Sequence, residues 1–355
     1  MIDFKQYLEE LLSLAAQSGA SDLHLSPGHY PVIRVDGHLV NMSNKKILDP
    51  ETLGGLVSAL LGEERRGRFL SEKELDFSYA SSQGIRFRVN SYYARGQAAA
   101  TLRLIPDSIR TIDSLNLPPI IKVFSKLSQG FILIVGPNGH GKSTTMAALI
   151  DQINKERAEK ILTIEDPIEY IFTPDKSIID QREVYLDTFS FHRALRSTFR
   201  ENVNVIMVGE LRDYETMSAA VTGAETGHLV MASLHTNSAS QTVERIIDSF
   251  PANQQPQIRS QLASTLSGII SQRLIPGIEG GLFPAVEVMI ATPAVRTLIR
   301  DNRPRQLDLV IETSQDVGMI SLNRSLASLV RNNKVAQDRA EFFSLNVGEL
   351  RELLK

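Results

Sequence analysis

Gly136-Pro137-Asn138-Gly139-His140-Gly141-Lys142-Ser143 is the stretch that decides the fold. It spells G-x-x-x-x-G-K-[ST], the phosphate-binding P-loop pattern. Before it, Phe131 to Val135 is unbroken apolar sequence, predicted as a buried strand; after it, Ser143 to Ile153 predicts a helix. Strand, glycine loop and helix are the arrangement the chemistry needs. Glycines let the backbone wrap around phosphate oxygens, so that amide hydrogens converge on the anion. The helix N-terminus adds partial positive charge. In this arrangement the loop from Gly136 to Thr144 binds nucleotide, Lys142 reaches the β- and γ-phosphates, and Ser143 holds Mg²⁺. The bland reading is a tight glycine turn, and the two flanks argue against it.

Working outward, Ile161 to Ile164, Val205 to Val208 and Leu229 to Leu234 are further apolar strands, with helices around 189–200, 212–225 and 238–250. Near-continuous apolar strands with helical crossovers predict an α/β fold with a parallel sheet buried on both faces. Nucleotide then binds at the carboxyl ends of the strands. Upstream the pattern differs. Phe4, Leu8, Leu11, Leu12 and Ala15 share one helical face that Gly19 ends. Strands follow at 22–25 and 32–35, turning at Asp36-Gly37, then a helix over 50–61. A second hairpin joins Ile85 to Tyr93 with Ala98 to Ile105 through Arg95-Gly96. The expected organisation is a small α+β domain over 1–105, a polar, proline-bounded linker or hinge over 106–119, a nucleotide-binding α/β core over 120–290, and short helices over 291–355.

The bulk numbers narrow the class. The chain has 355 residues, 42% hydrophobic and 22% charged, enough for two or three cored domains. A net charge of −3 is not the footprint of a nucleic-acid binder. With no cysteine, disulfides and thiolate metal sites are excluded. The first residues are acidic and amphipathic, unlike a signal peptide. No apolar run approaches the ~18 residues a membrane span requires. The expectation is a cytoplasmic protein.

Three sets of polar residues stand out. Glu165 and Asp166 end one predicted strand and Glu210 another. If those strands neighbour the P-loop strand, their carboxylates converge near the γ-phosphate, where Mg²⁺ and an attacking water must be held. His228 and His235 flank a strand. A histidine at a strand end can contact a γ-phosphate oxygen and report its loss, although a lone histidine is more often a structural hydrogen-bonder. Metal binding by them matches no common zinc spacing. Arg86 and Arg88 share a strand face, and a two-residue turn at Arg95-Gly96 places Arg88 opposite Arg103. Like charges directly opposed are destabilising unless they grip a shared anion, such as a nucleotide phosphate in the next subunit. The alternative is arginines splayed into solvent or paired with Glu72 or Glu74.

These stretches together resemble a known family. Phe131 to Thr145, Ile161 to Glu169, Val208 to Asp213, and Thr226 to Val230 with Leu234 to Asn237 are similar to the Walker A, Asp box, Walker B and His box of secretion and type IV pilus ATPases. Arg86-Phe87-Arg88-Val89-Asn90 fits too, and Ala294 to Arg300 resembles a C-terminal helix motif of the twitching-motility retraction (PilT-type) branch. The resemblance implies a PAS-like N-terminal domain before a RecA-like P-loop NTPase domain, in a cytoplasmic ring, usually a hexamer. It implies a Mg²⁺-dependent ATPase that powers pilus retraction by depolymerising pilin, working at the inner face of the membrane with a pilus platform protein. Glu165 resembles the water-activating glutamate, Glu210 the Walker B acid near Mg²⁺, and His235 the γ-phosphate contact. His228 resembles a support for the subunit junction. Arg88 and Arg103 resemble arginines that reach nucleotide across a subunit boundary.

The chain departs from the family pattern in places. Asn138 and His140 stand where the family usually has Thr and Ser, and Asn202-Val203-Asn204 replaces a usual Asp-Pro-Asp. Extension and type II secretion relatives commonly carry a four-cysteine zinc element, which a chain without cysteine cannot build. A retraction-accessory paralogue shares most of the motifs. A nucleic-acid translocase and a nucleotide-gated scaffold are the readings from other classes.

Overall fold

The computed structural model describes residues 3–35, 37–105 and 108–355. The chain forms two compact units, Met1–Ser108 with Asp166–Ile171, and Ile109–Glu165 with Phe172–Lys355. The short segment Asp166–Ile171, read from sequence as part of the core, thus belongs to the first unit. Asp36 of the first turn and Pro106 and Asp107 of the expected linker lie outside the described residues.

In the first unit, β1 (Asp22–Leu25), β2 (Val32–Val35), β3 (His38–Asn41), β4 (Glu74–Ala80), β5 (Arg86–Ala94) and β6 (Gln97–Leu104) form one sheet in the order β3-β2-β1-β6-β5-β4. All its pairings are antiparallel. Period-two alternation turns Leu23, Leu25, Phe87, Val89 and Leu102 into a core with Leu8, Leu11, Leu12, Leu53 and Leu56 of the two helices. Arg95 (φ 53°) and Gly96 (φ 76°) are both left-handed, the geometry of a two-residue hairpin turn. The register is the one the sequence spacing predicts, with Arg88 opposite Arg103.

The first helix runs Phe4–Gln17, capped by Asp3. The second runs Pro50–Glu72 rather than ending at 61. Gly62 breaks it (φ 62°, ψ −173°), and beyond the break Phe69 is the buried anchor among charged neighbours. The apolar periodicity that marks the first half is missing there, so sequence reading stopped short.

The second unit is built on β7 (Gly130–Val135), β8 (Lys160–Glu165), β9 (Ile178–Glu183), β10 (Val205–Val208), β11 (Leu229–Leu234), β12 (Leu266–Pro276) and β13 (Leu282–Ile290). Their order is β13-β12-β7-β11-β10-β8-β9. Every neighbour pair is parallel except the β12–β13 hairpin. Every residue of β7, β10 and β11 is buried. Helices Lys142–Glu156, Phe191–Thr198, Tyr214–Glu225 and Ala239–Asp248 carry the crossovers. Each fully buried Leu, Ile or Val contributes about 1.5–3 kcal/mol, so the five apolar residues of β7 alone anchor the loop that follows them.

Asn204, in the departure from the usual Asp-Pro-Asp, has a clear job. Its side-chain oxygen accepts from Lys160 N–H at 2.9 Å, and its own N–H donates to Lys160 O at 2.8 Å, joining the starts of β8 and β10. After Ile290 the chain forms short helices, with a separate small core of Ile275, Ala285, Leu322, Leu326 and Leu350.

Candidate functional site

The phosphate loop leaves β7 at Gly136, whose φ of 146° and close approach to β12 demand glycine. A Cβ there would lie 2.3 Å from the Gln272 carbonyl oxygen. Gly139 (φ 76°) and Gly141 (φ 81°) hold left-handed backbone that a side chain would strain. Gly141 precedes helix Lys142–Glu156, so the helix N-terminus faces the loop. Pro137, Asn138 and His140 complete the loop, and Ser143 and Thr144 start the helix.

Lys142 is buried, 7% exposed. Its ammonium donates to Gly136 O and Pro137 O, both at 2.9 Å, and to His235 Nδ1 at 3.1 Å. His235 Nε2 in turn meets Glu210 Oε1 at 2.9 Å, and Arg212 Nε donates to Glu210 Oε2 at 3.0 Å. An ammonium cannot accept, so Nδ1 is the acceptor and the ring proton sits on Nε2, directed at the carboxylate. Lys142, His235, Glu210 and Arg212 thus form one line of alternating donors and acceptors across the tips of β7, β11 and β10. The exit loops are stitched to support it: Ser233 Oγ donates to Gly209 O at 2.5 Å, and Leu211 N–H to Ser233 O at 3.0 Å.

One expectation needs correction. The acid-bearing strands are not neighbours of the P-loop strand; β11 and β12 are. Glu210 reaches Lys142 through His235, because β11 intervenes. Glu165, 6% exposed at the end of β8, accepts from Thr163 Oγ1 at 2.7 Å and from Gln181 Nε2 at 3.3 Å.

His228 lies at the other end of β11. Its Nδ1 hydrogen-bonds Gly223 O at 3.0 Å, and its ring packs against Phe199. Seven residue steps at about 3.3 Å each separate it from His235, roughly 23 Å. The structure does not bring it to the phosphate loop.

Arg88 and Arg103 belong to the first unit. Each has its own carboxylate: Arg88 donates to Glu169 Oε1 at 3.0 Å, and Arg103 Nε to Asp22 Oδ1 at 3.0 Å. The carboxylates weighed as alternatives from sequence, Glu72 and Glu74, are not these partners. Glu72 is held by Arg68 at 2.7 Å, and Glu74 pairs by register with Tyr92. Arg86 shares the polar face, with its Nε buried and without a hydrogen-bond partner among the described residues.

Two residues of the site escaped sequence reading. Gln272 lies against the phosphate loop from β12, a strand whose mixed composition hid it. Glu287 of β13 is buried, and its Oε1 accepts from Ala239 N–H at 2.7 Å, where the loop after His235 becomes a helix. Burial first, then Asp308 and Glu312, pushes its carboxyl up to about 7, against the opposing pull of Ala239 N–H and Arg273. The signal available in sequence was a lone Glu inside the apolar run Ala285 to Ile290.

Among the described residues no cluster of His, Asp and Glu is arranged to hold a metal by itself, and no helix is long and apolar enough to cross a membrane.

Comparison with known proteins gives the family. Residues 3–281 match the family described as Type II/IV secretion system protein. The chain is 42% identical over 333 residues to the "Type IV pilus retractation ATPase PilT" of Pseudomonas aeruginosa, covering 94% of this chain and 96% of that one. It is 42% identical over 311 residues to a "Twitching motility protein" of Neisseria gonorrhoeae, covering 87% and 83%. The crystal structure of the pilus retraction motor PilT with bound ADP superposes with a TM-score of 0.89 at 42% identity, covering 97% of this chain and 98% of that one. The chain belongs to the type II/IV secretion system protein family, in its PilT-type, twitching-motility branch.

Proposed function

We propose that this chain is an ATP-hydrolysing motor that retracts type IV pili by drawing pilin subunits out of the filament. The observation that carries it is the bonded line Lys142–His235–Glu210 at the tips of three parallel strands, beside a loop shaped for phosphate. The PilT relative, whose structure has bound ADP, supports nucleotide binding by this chain.

The residues divide the work. Lys142 exchanges the carbonyls of Gly136 and Pro137 for β- and γ-phosphate oxygens. The backbone amides from Gly139 to Thr144 cradle the phosphates. Glu165, steadied by Thr163 and Gln181, orients and deprotonates the attacking water. His235 stands between Lys142 and Glu210 and transmits the presence of the γ-phosphate from one to the other. Arg88 and Arg103 supply positive charge to nucleotide in a neighbouring subunit of a hexameric ring, and His228 supports the subunit junction.

The residues present fit Mg²⁺. Ser143 Oγ and the Glu210 carboxylate are hard oxygen donors, and Mg²⁺ keeps several waters, so a carboxylate already bonded to His235 and Arg212 can hold it through them. Bound there, Mg²⁺ neutralises charge on the β- and γ-phosphates. We place the ring in the cytoplasm at the inner face of the membrane, against a pilus platform protein. The segment 106–119 acts as the hinge through which hydrolysis changes the angle between the two units; a crosslink that locks them abolishes force and spares nucleotide binding.

Deleting the gene and imaging pili tests the direction of the motor. Hyperpiliated, non-motile cells are expected. Bald cells would assign the chain to extension instead.

A further inference from the structure

The phosphate-loop pattern ends at Ser143, yet the loop is also held from outside, by a strand that contributes nothing to that pattern. β7 and β12 run parallel, and their last paired residues are Val135 and Ser271. One residue further on, β7 becomes the loop while β12 continues to Pro276. Gln272, 3% exposed, fills that divergence. Its Nε2 donates to His140 O at 2.9 Å, and its Oε1 accepts from Thr145 Oγ1 at 2.7 Å, Thr145 being 1% exposed. One amide therefore ties the middle of the loop to the first turn of the helix that follows it. Two residues along, on the same side of β12, Leu274 N–H donates to His140 Nδ1 at 2.9 Å. Fit is tight: a Cβ on Gly141 would lie 2.8 Å from Gln272 Nε2.

We propose that Gln272 and His140 are positioning residues that clamp the phosphate loop onto β12 and set the curvature on which ATP affinity depends. The inference rests on the ATPase reading and deepens it. Neither side chain reaches for phosphate. Gln272 spends its donor and acceptor on loop and helix, and His140 turns its Nδ1 away to the strand. What they fix is the path of the backbone whose amides must converge on the anion. A buried amide with both ends bonded holds that path better than apolar packing, because shifting the loop orphans a buried donor and a buried acceptor together.

His140 makes the clamp sensitive to protons. Nδ1 accepts from Leu274 only while the ring is neutral. Burial, then the charges of Arg273 on β12 and Lys142 on the helix after the loop, hold its pKa below the ordinary histidine value of 6.5. The helix Gln337–Phe343 contributes Phe343, edge-on at 6.2 Å and uncharged. The bond is therefore complete at neutral pH and is lost as pH falls below 6.5 through the depressed value.

Steady-state ATP hydrolysis by the full-length protein with Mg²⁺ tests the clamp. Gln272→Ala and Thr145→Val are expected to raise KM for ATP about tenfold while kcat stays within about twofold, the mark of a group that acts on binding. Thr145→Ser keeps the hydroxyl and restores KM. His140→Ser is expected to raise KM a few-fold at neutral pH and to remove the acid-side rise in KM expected of the wild type below pH 6.5. Thr145→Val is nearly isosteric, so it reports even where Gln272→Ala folds poorly. Wild-type KM in Thr145→Val, or a loss confined to kcat, overturns the clamp and leaves the motor standing. A wild-type chain that neither binds nor hydrolyses ATP sinks both.

Discussion

The two ends of β11 carry the same residue type in opposite circumstances. At the amino end His228 is bonded to a backbone carbonyl, Gly223 O, and packed against Phe199. At the carboxyl end His235 is bonded to two charged side chains, Lys142 and Glu210. At the amino ends Asn204 and Lys160 exchange bonds with the backbone. At the carboxyl ends, Lys142, His235, Glu210 and Arg212 are joined side chain to side chain. The bond of His228 to Gly223 O holds a strand end in place, whereas the line through His235 ends on a cation and a carboxylate that can turn to a ligand. That difference, rather than residue identity, is what makes one end of a parallel sheet reactive.

Breaking the carboxyl end has the largest expected effect. Lys142→Ala removes the cation that faces the β- and γ-phosphates and should lower ATP turnover by about a thousandfold. Calorimetry should show ATP binding lost with it; binding at wild-type strength would break the contrast between the two ends. Next come Glu210→Gln and His235→Ala, each expected to cost about a hundredfold in kcat/KM. Because the two side chains act as one bonded line, the double variant should be little worse than the poorer single one. Fully additive losses would show that they work separately.

Glu287→Gln sharpens the comparison from beneath. The folded carboxyl prefers its proton up to about 7, against an ordinary 4.5. A raised carboxyl value means stability is present at low pH and is lost as pH rises from 4.5 through 7. Glutamine keeps the acceptor for Ala239 N–H and carries no charge. The variant should therefore match wild type near pH 4.5 and exceed it by about 3 kcal/mol at pH 8, read from denaturant midpoints. Equal stability at both pH values would place the ionisation elsewhere. The smallest effect belongs to the amino end. His228→Ala should cost about 1 kcal/mol of stability and leave the isolated subunit's nucleotide affinity unchanged.

Much of this was legible in the chain. The P-loop letters with an apolar strand before and a helix after fixed the sheet class, and the turn at Arg95-Gly96 gave the Arg88–Arg103 register by counting alone. Strand ends gave Glu165, Glu210 and His235 as candidates. Their wiring was not legible, because sequence order does not give spatial order; that β11 separates β10 from β7 is a property of the crossovers. The β12–β13 hairpin was also hidden. Its polar positions, Gln272 and Glu287, interrupt an apolar run, and they are polar because they serve the neighbouring loops. The arginine partners Asp22 and Glu169 lie 81 residues from their arginines, beyond any local pattern.

The most direct test of the central claim compares wild type with Glu165→Gln for Mg²⁺-dependent ATP binding and hydrolysis in the same preparation. The account predicts wild-type affinity for ATP and turnover reduced about a hundredfold, since only the group acting on water is lost. Wild-type turnover in Glu165→Gln, or no hydrolysis by the unaltered protein, would contradict it.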